Sequence, residues 1–225
     1  MATSNTYAFN PSVGNLALSA YSRIQIRRPA LLAEHLADAM AETNYLLSSW
    51  SNMAPNLWTV DLVTQALTAG TATYNVDAKT VMILDAYITI SSQDRLIFPV
   101  SRTEYASFPN KTDQGVPSVF WYDRLLSPTI TLWLVPDDST VTLQYYRCTQ
   151  NQDANLQSGE TPAVPYRFLD AMVAGLAHRL ARIYKPEMEA ARKMDAAEAL
   201  MIAQTQDVEN IPMTIMPQLS GYYRT

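Results

Sequence analysis

The segment Pro165–Tyr184, PYRFLDAMVAGLAHRLARIY, predicts a helix with two different faces. When its residues are placed about 100° apart around a helical axis, the large apolar side chains fall within one arc of about 120°. His178 lies on the opposite side, among small residues and cations. The apolar arc consists of Leu169, Met172, Val173, Leu176, Leu180, Ile183 and Tyr184.

The face opposite that arc combines small side chains with charge. A helix with an apolar arc and a second face of alanine and glycine can be approached closely from both sides, which suits packing within the chain and against another subunit. The alternative, an exposed helix made of good helix formers, stays open. We predict a subunit interface formed by Ala171, Ala174, Gly175, His178 and Arg182.

His178 is one of two histidines, and it lacks the neighbours of a catalytic base. An orienting carboxylate would be needed, yet Asp170 lies two turns away, and nearby cations lower the pKa of an imidazole. His35 lies on a separate helix, without the i, i+4 spacing of a zinc site. The sequence contains no nucleophile elbow and no glycine-rich phosphate loop. We therefore predict no enzymatic activity, no cofactor and no bound metal.

Composition sets further bounds on function. A chain of 225 residues can form one large domain or two small ones. The net charge of −5 argues against a dedicated nucleic-acid binder, and the single cysteine, Cys148, forms no internal disulfide. Only 16% of the residues are charged, which favours a surface partly hidden by a partner. We expect no signal peptide and no membrane contact.

The chain reads as helices, then strands, then helices. Ser12 is suited to cap a first helix ending near Arg28, before Pro29, and a second helix is predicted over Ala30–Trp50. On the second helix one apolar arc comprises Leu32, Leu36, Ala39, Met40, Leu46, Leu47 and Trp50. The predicted strands are Leu57–Val63, Thr71–Val76, Val81–Ile90, Arg95–Val100, Ser118–Arg124, Thr129–Val135 and Thr140–Arg147. A last helix is predicted over Glu187–Gln204.

This order predicts an α+β fold in four parts. Residues 1–56 supply the first helices of a bundle, and residues 57–149 form an inserted antiparallel β-sheet or sandwich. Residues 150–206 hold a polar linker and the helices that complete the bundle. Residues 207–225 are too apolar for an idle tail and predict an extended docking segment. Its candidate contact residues are Ile211, Pro212, Ile215, Met216, Tyr222 and Tyr223.

A succession of motifs from about Ser12 to Gln204 resembles the head-to-tail adaptor (connector) proteins of tailed bacteriophages, of the short-tailed, podovirus-like type. The motifs are LLSSW (Leu46–Trp50), LW (Leu57 and Trp58), SRTEYASFPN (Ser101–Asn110), GVPSVFWYDR (Gly115–Arg124), SPTITLWLVPDD (Ser127–Asp138), LQYYR (Leu143–Arg147) and the opening segment.

This resemblance implies a non-catalytic virion protein of the neck or tail, assembled in the host cytoplasm. It implies a homo-oligomeric ring, commonly a dodecamer, that lies below the portal protein, extends the DNA channel and attaches the tail or nozzle protein. Double-stranded DNA would pass through the lumen without sequence-specific binding. In such adaptors the C-terminal region often reaches the portal, which makes the 207–225 segment a candidate portal-docking tail.

Three alternatives remain open at this point. Another neck or tail component, such as a terminator or nozzle protein, would be mostly β. A carbohydrate-binding sandwich would present Trp121, Tyr122 and Trp133 as an exposed aromatic row. A hydrolase would use His178 with a carboxylate.

Overall fold

A single long helix lies at the centre of the helical part, in a computed structural model that describes residues 3–53, 56–155 and 159–208. This central helix, α4, packs against three others: α1, α2 and α5. The helix bounds are Val13–Arg23 (α1), Ala33–Ser51 (α2), Arg102–Ser107 (α3), Leu169–Tyr184 (α4) and Glu189–Gln204 (α5). Because neighbours surround α4, every residue from Ala171 through Ala177 is buried, together with Leu169 and Leu180 of the predicted apolar arc. At the C-terminal end of that arc Ile183 is 49% exposed and Tyr184 is half-buried, so the arc is covered only in part.

Local chemistry explains where the first helices begin and end. The Ser12 hydroxyl accepts a hydrogen bond from the Asn15 N–H at 3.3 Å, which confirms the predicted cap of α1. The helix ends at Arg23, earlier than predicted, and Gln25 follows with φ of 63°. Pro29 lies in a short 3₁₀ turn before α2. The predicted continuation to Arg28 was therefore wrong, because the chain turns into left-handed backbone first.

Four of the seven residues in the predicted apolar arc of α2 reach the core. Ala39, Leu46, Leu47 and Trp50 are buried, but the three large apolar residues at the N-terminal end of the arc are exposed. Leu32, Leu36 and Met40 are 60%, 40% and 38% exposed. The first half of α2 therefore carries an uncovered apolar surface, which we call the α2 ridge and define by these three residues.

Seven strands form one curled sheet in the order β1-β7-β3-β4-β5-β6-β2. Neighbouring strands are antiparallel, except that β4 and β5 pair in parallel through Phe98 with Val119 and Pro99 with Phe120. The helices and this sheet confirm the predicted α+β fold. The strand bounds are Val60–Ala66 (β1), Thr73–Asn75 (β2), Thr80–Ile90 (β3), Gln93–Pro99 (β4), Val119–Asp123 (β5), Thr129–Trp133 (β6) and Thr142–Thr149 (β7).

The sheet has its own apolar core, separate from that of the helices. The alternation of TITLW and TLQYY turns one set of side chains inward, as period-two strands require. The fully buried members include Ala86, Ile88, Ile97, Phe120, Ile130, Leu132 and Leu143. On β7, Arg147 is buried as well, and its guanidinium donates to both oxygens of Asp61 at 2.7 and 3.1 Å.

Hydrogen bonds and ring contacts join the sheet to the helices. Asn44 and Ala154 exchange two bonds, at 2.7 and 3.1 Å, and Asn151 donates to the Leu47 carbonyl at 3.1 Å. The Trp58 ring lies 4.4 Å from the ring of Phe168, which is part of the helical core. The chain segments on either side of the sheet are therefore held against α2 and α4.

Candidate subunit-interface groove

A groove of about 350 Å³ runs over α4 between the second half of α2 and α5. Ala171 and Gly175 of α4 form part of its floor. Its polar lining comes from His178, Arg179, Arg182 and Lys193, with Ser49 and Gln204. Its apolar lining includes Leu46, Trp50, Met53, Ala196, Ala197 and Leu200. We call this site the α4 groove.

The small residues of α4 permit close helix packing within one chain. A Cβ atom added at Gly175 would lie 3.0 Å from both methyl carbons of Leu46 on α2. Ala171 and Ala174 are likewise buried, at 1% and 2% exposure. Among the predicted interface residues, Arg182 is largely exposed and His178 is mostly covered. A contact with another subunit at this face stays a prediction, since packing inside the chain already accounts for the buried small residues.

Replacing Gly175 by leucine is expected to lower the free energy of unfolding by about 1–3 kcal/mol, because the side chain must displace Leu46 in a packed core. Leucine is a good helix former, so helix propensity opposes the loss. Gly14→Leu in α1 is the matched control, because only the Ser12 hydroxyl lies near its Cβ position, at 4.0 Å. Urea unfolding should show a lower free energy of unfolding for Gly175→Leu and little change for Gly14→Leu. Equal losses in the two variants would contradict the packing explanation.

The rim of the α4 groove is cationic. Arg179 approaches Glu42 at 3.4 Å and donates to the Ser49 hydroxyl at 3.3 Å. Arg182 lies 3.5 Å from Glu189, while Lys193 contributes a further positive charge from α5. Among the described residues that line the groove, none is acidic. The groove therefore joins an apolar floor to a rim of cations, two of which pair with carboxylates that lie outside the lining.

The surroundings of His178 favour its neutral form. Burial lowers the pKa of its imidazole, and the positive charge of Arg182 lowers it further, although Glu189 opposes both effects. The Glu189 carboxylate is 3.5 Å from Nε2, but that buried nitrogen makes no hydrogen bond to any described residue. Such a contact does not orient the ring as a general base requires, so the geometry gives the hydrolase alternative no support.

Acidification should therefore destabilise the fold through His178. The folded-state pKa lies below the unfolded value of about 6.5, so the unfolded chain takes up the proton more readily as the pH falls below that value. We expect the free energy of unfolding of the native chain, relative to His178→Gln, to decrease between pH 8 and pH 5.5. Urea titrations of both chains at each pH measure the difference; a constant difference would contradict the lowered pKa.

The aromatic row that a carbohydrate-binding sandwich would need is partly covered by other side chains. Tyr105 of α3, a helix that the strand pattern did not predict, stacks on Trp121 with ring centroids 5.5 Å apart. Phe108 stacks on Trp133 at 4.4 Å. Tyr122 is half-buried, and its hydroxyl donates to the Thr80 carbonyl at 2.9 Å. The rings that would bind sugar thus pack against other parts of the chain.

The predicted contact residues Ile211, Pro212, Ile215, Met216, Tyr222 and Tyr223 lie outside the described residues. The chain just before them contacts the segments that precede β1 and α4. Asp207, whose side chain is 6% exposed, pairs with Arg167 and accepts a hydrogen bond from the Leu57 N–H at 3.3 Å. Sequence reasoning missed this anchor, because no local pattern links positions 57, 167 and 207.

The described residues contain neither a cluster that could hold a metal ion nor a helix that could cross a membrane. No group of three or more His, Cys, Asp or Glu residues in that part of the chain is arranged to hold a metal ion. Over the same residues, none of the helices combines the length and the apolar character needed to cross a membrane.

Comparison with known proteins gives one result at the level of families. A family model described as the SU10 adaptor protein matches residues 12–216. That span begins at the Ser12 cap and contains every helix and strand described above. No curated protein matches the chain.

Proposed function

The chain belongs to the SU10 adaptor protein family, which makes it a structural head-to-tail adaptor of a bacteriophage, and we propose that it assembles as a ring below the portal. In this proposal the ring has twelve copies, extends the DNA channel and presents the surface to which the tail or nozzle protein attaches. The family match over residues 12–216 is the observation that carries it.

The fold supports an adaptor over the other neck and tail components considered. A terminator or nozzle protein was expected to be mostly β. This chain instead places four of its five described helices around a shared apolar core. The proposal includes a podovirus-like neck, assembly in the host cytoplasm and no catalytic role.

The charge of the chain fits a conduit for DNA. Each copy carries a net charge of −5, so a ring of many copies multiplies the negative charge. An acidic wall repels phosphates and lets the duplex slide, whereas a basic wall would hold it through phosphate contacts. We propose that double-stranded DNA passes through without sequence-specific binding.

Imaging of the assembled state tests the proposal. The purified full-length chain is mixed with the portal protein of its phage, and the complexes are examined by electron cryomicroscopy. We expect rings with twelvefold symmetry stacked on the portal. An adaptor that remains monomeric with the portal present, or that binds at the distal end of the tail, would overturn the proposal.

A further inference from the structure

The α2 ridge is an apolar surface with acidic surroundings. Leu32, Leu36 and Met40 are exposed, and so are the alanines at 33, 37 and 41. The charged residues of α2 are Glu34, Asp38 and Glu42, and the helix contains no lysine or arginine. An exposed apolar helix face of this kind marks a contact surface.

The α4 groove has the complementary character. Its floor and walls are apolar, while Arg179, Arg182 and Lys193 contribute cations, without an acidic residue among the described lining. An occupant with apolar side chains and acidic neighbours fits both features, and the α2 ridge has them.

The two surfaces are different and belong to one chain. The first half of α2 carries the ridge, whereas its second half, with Leu46 and Trp50, forms a wall of the groove. A contact between different surfaces on identical copies is heterologous, and repetition of such a contact closes a ring when the rotation per copy allows it.

We propose that the α2 ridge of one copy docks in the α4 groove of the next copy. This inference rests on the proposed ring and names the contact that builds it. Burial of Leu36 and Met40 against the apolar groove drives association, and Glu34 and Asp38 bring negative charge to the Lys193 side of the rim. Glu42 does not take part, because it already pairs with Arg179 of its own chain.

Two double variants separate the surfaces. Leu36→Glu with Met40→Glu places charge on the ridge, and Lys193→Glu with Ala197→Glu places charge in the groove. All four positions are exposed on helices, so the monomer fold should survive, which circular dichroism checks. Leu125→Glu with Leu126→Glu is the matched control, because these exposed apolar residues lie between β5 and β6 and belong to neither the ridge nor the groove lining.

Native mass spectrometry of the full-length chains then gives the decisive result. Each double variant alone should lose every species above monomer at concentrations where the native chain and the control assemble. An equimolar mixture of the two should form dimers and nothing larger, because one intact ridge meets one intact groove and both outer surfaces are blocked.

The other outcomes are equally informative. Rings that persist in either double variant, or a mixture without dimers, would overturn this contact. Neither result would count against the proposed function as a ring-forming adaptor. If removal of residues 209–225 abolishes assembly while the ridge variant still assembles, the groove receives the C-terminal segment instead. Failure of the native chain to form rings, even with portal present, would overturn the proposed function as well.

Discussion

Removal of residues 209–225 should abolish portal binding and leave the free energy of unfolding unchanged. The proposed docking tail lies in these residues, whereas Asp207, which attaches the preceding chain, stays in place. A pull-down or surface binding assay with the purified portal measures the first effect, and urea unfolding measures the second. Undiminished portal binding by the shortened chain would refute a docking role for this segment.

The position of the cut decides whether binding and stability can be separated. A chain that ends at Gln206 also loses the Asp207 carboxylate, which leaves Arg167 and the Leu57 N–H without their acceptor. Such bonds contribute about 1–3 kcal/mol each, so this shorter chain should unfold more easily. Asp207→Asn in the full-length chain provides the control, because it should lower stability and retain portal binding.

Phe168→Ala should lower the free energy of unfolding by about 3–5 kcal/mol, which is the range for removal of a buried aromatic ring. Phe168 is 2% exposed, and its ring lies 5.7 Å from that of Trp50 and 4.4 Å from that of Trp58. Its loss opens a cavity where the helical core meets the chain that enters the sheet.

Tyr166→Ala, two residues earlier, is the matched control. That side chain is 75% exposed, so its removal should change stability by less than about 0.5 kcal/mol. Urea unfolding followed by helical circular dichroism and by tryptophan fluorescence compares the two variants. A loss below about 1 kcal/mol for Phe168→Ala would show that the contact between Trp58 and the helical core contributes little.

Sequence patterns predicted the helices and strands that depend on residues close together in the chain. Ser12 caps α1 because its hydroxyl reaches an amide three residues on, a relation contained in the sequence. Strands β6 and β7 fall within the predicted ranges or close to them, because their alternation follows from side chains that point to opposite faces. The short helix α3 was missed, and its Tyr105 packs on Trp121, a distant part of the chain.

The candidate site was less predictable, because a helical wheel describes directions and not neighbours. The wheel placed Ala171, Gly175 and His178 on one face, and the structure brings them together in one groove. It treated the α2 arc as one surface, whereas the bundle buries Leu46 and leaves Leu36 exposed. What covers each turn of a helix depends on the other helices, whose positions are set by long-range packing.

For this protein, the sequence alone determined the α+β class, the helix-strand-helix order and a likeness to phage adaptors, since periodicity and motif order are properties of the chain itself. Only the tertiary structure decided that α4 is covered on several sides, that Asp207 accepts a hydrogen bond from the Leu57 N–H, and that an apolar ridge and a groove lined by cations occur on one chain. The reason is physical: burial and charge pairing depend on residues far apart in sequence, whose distances are set when the helices and the sheet pack together.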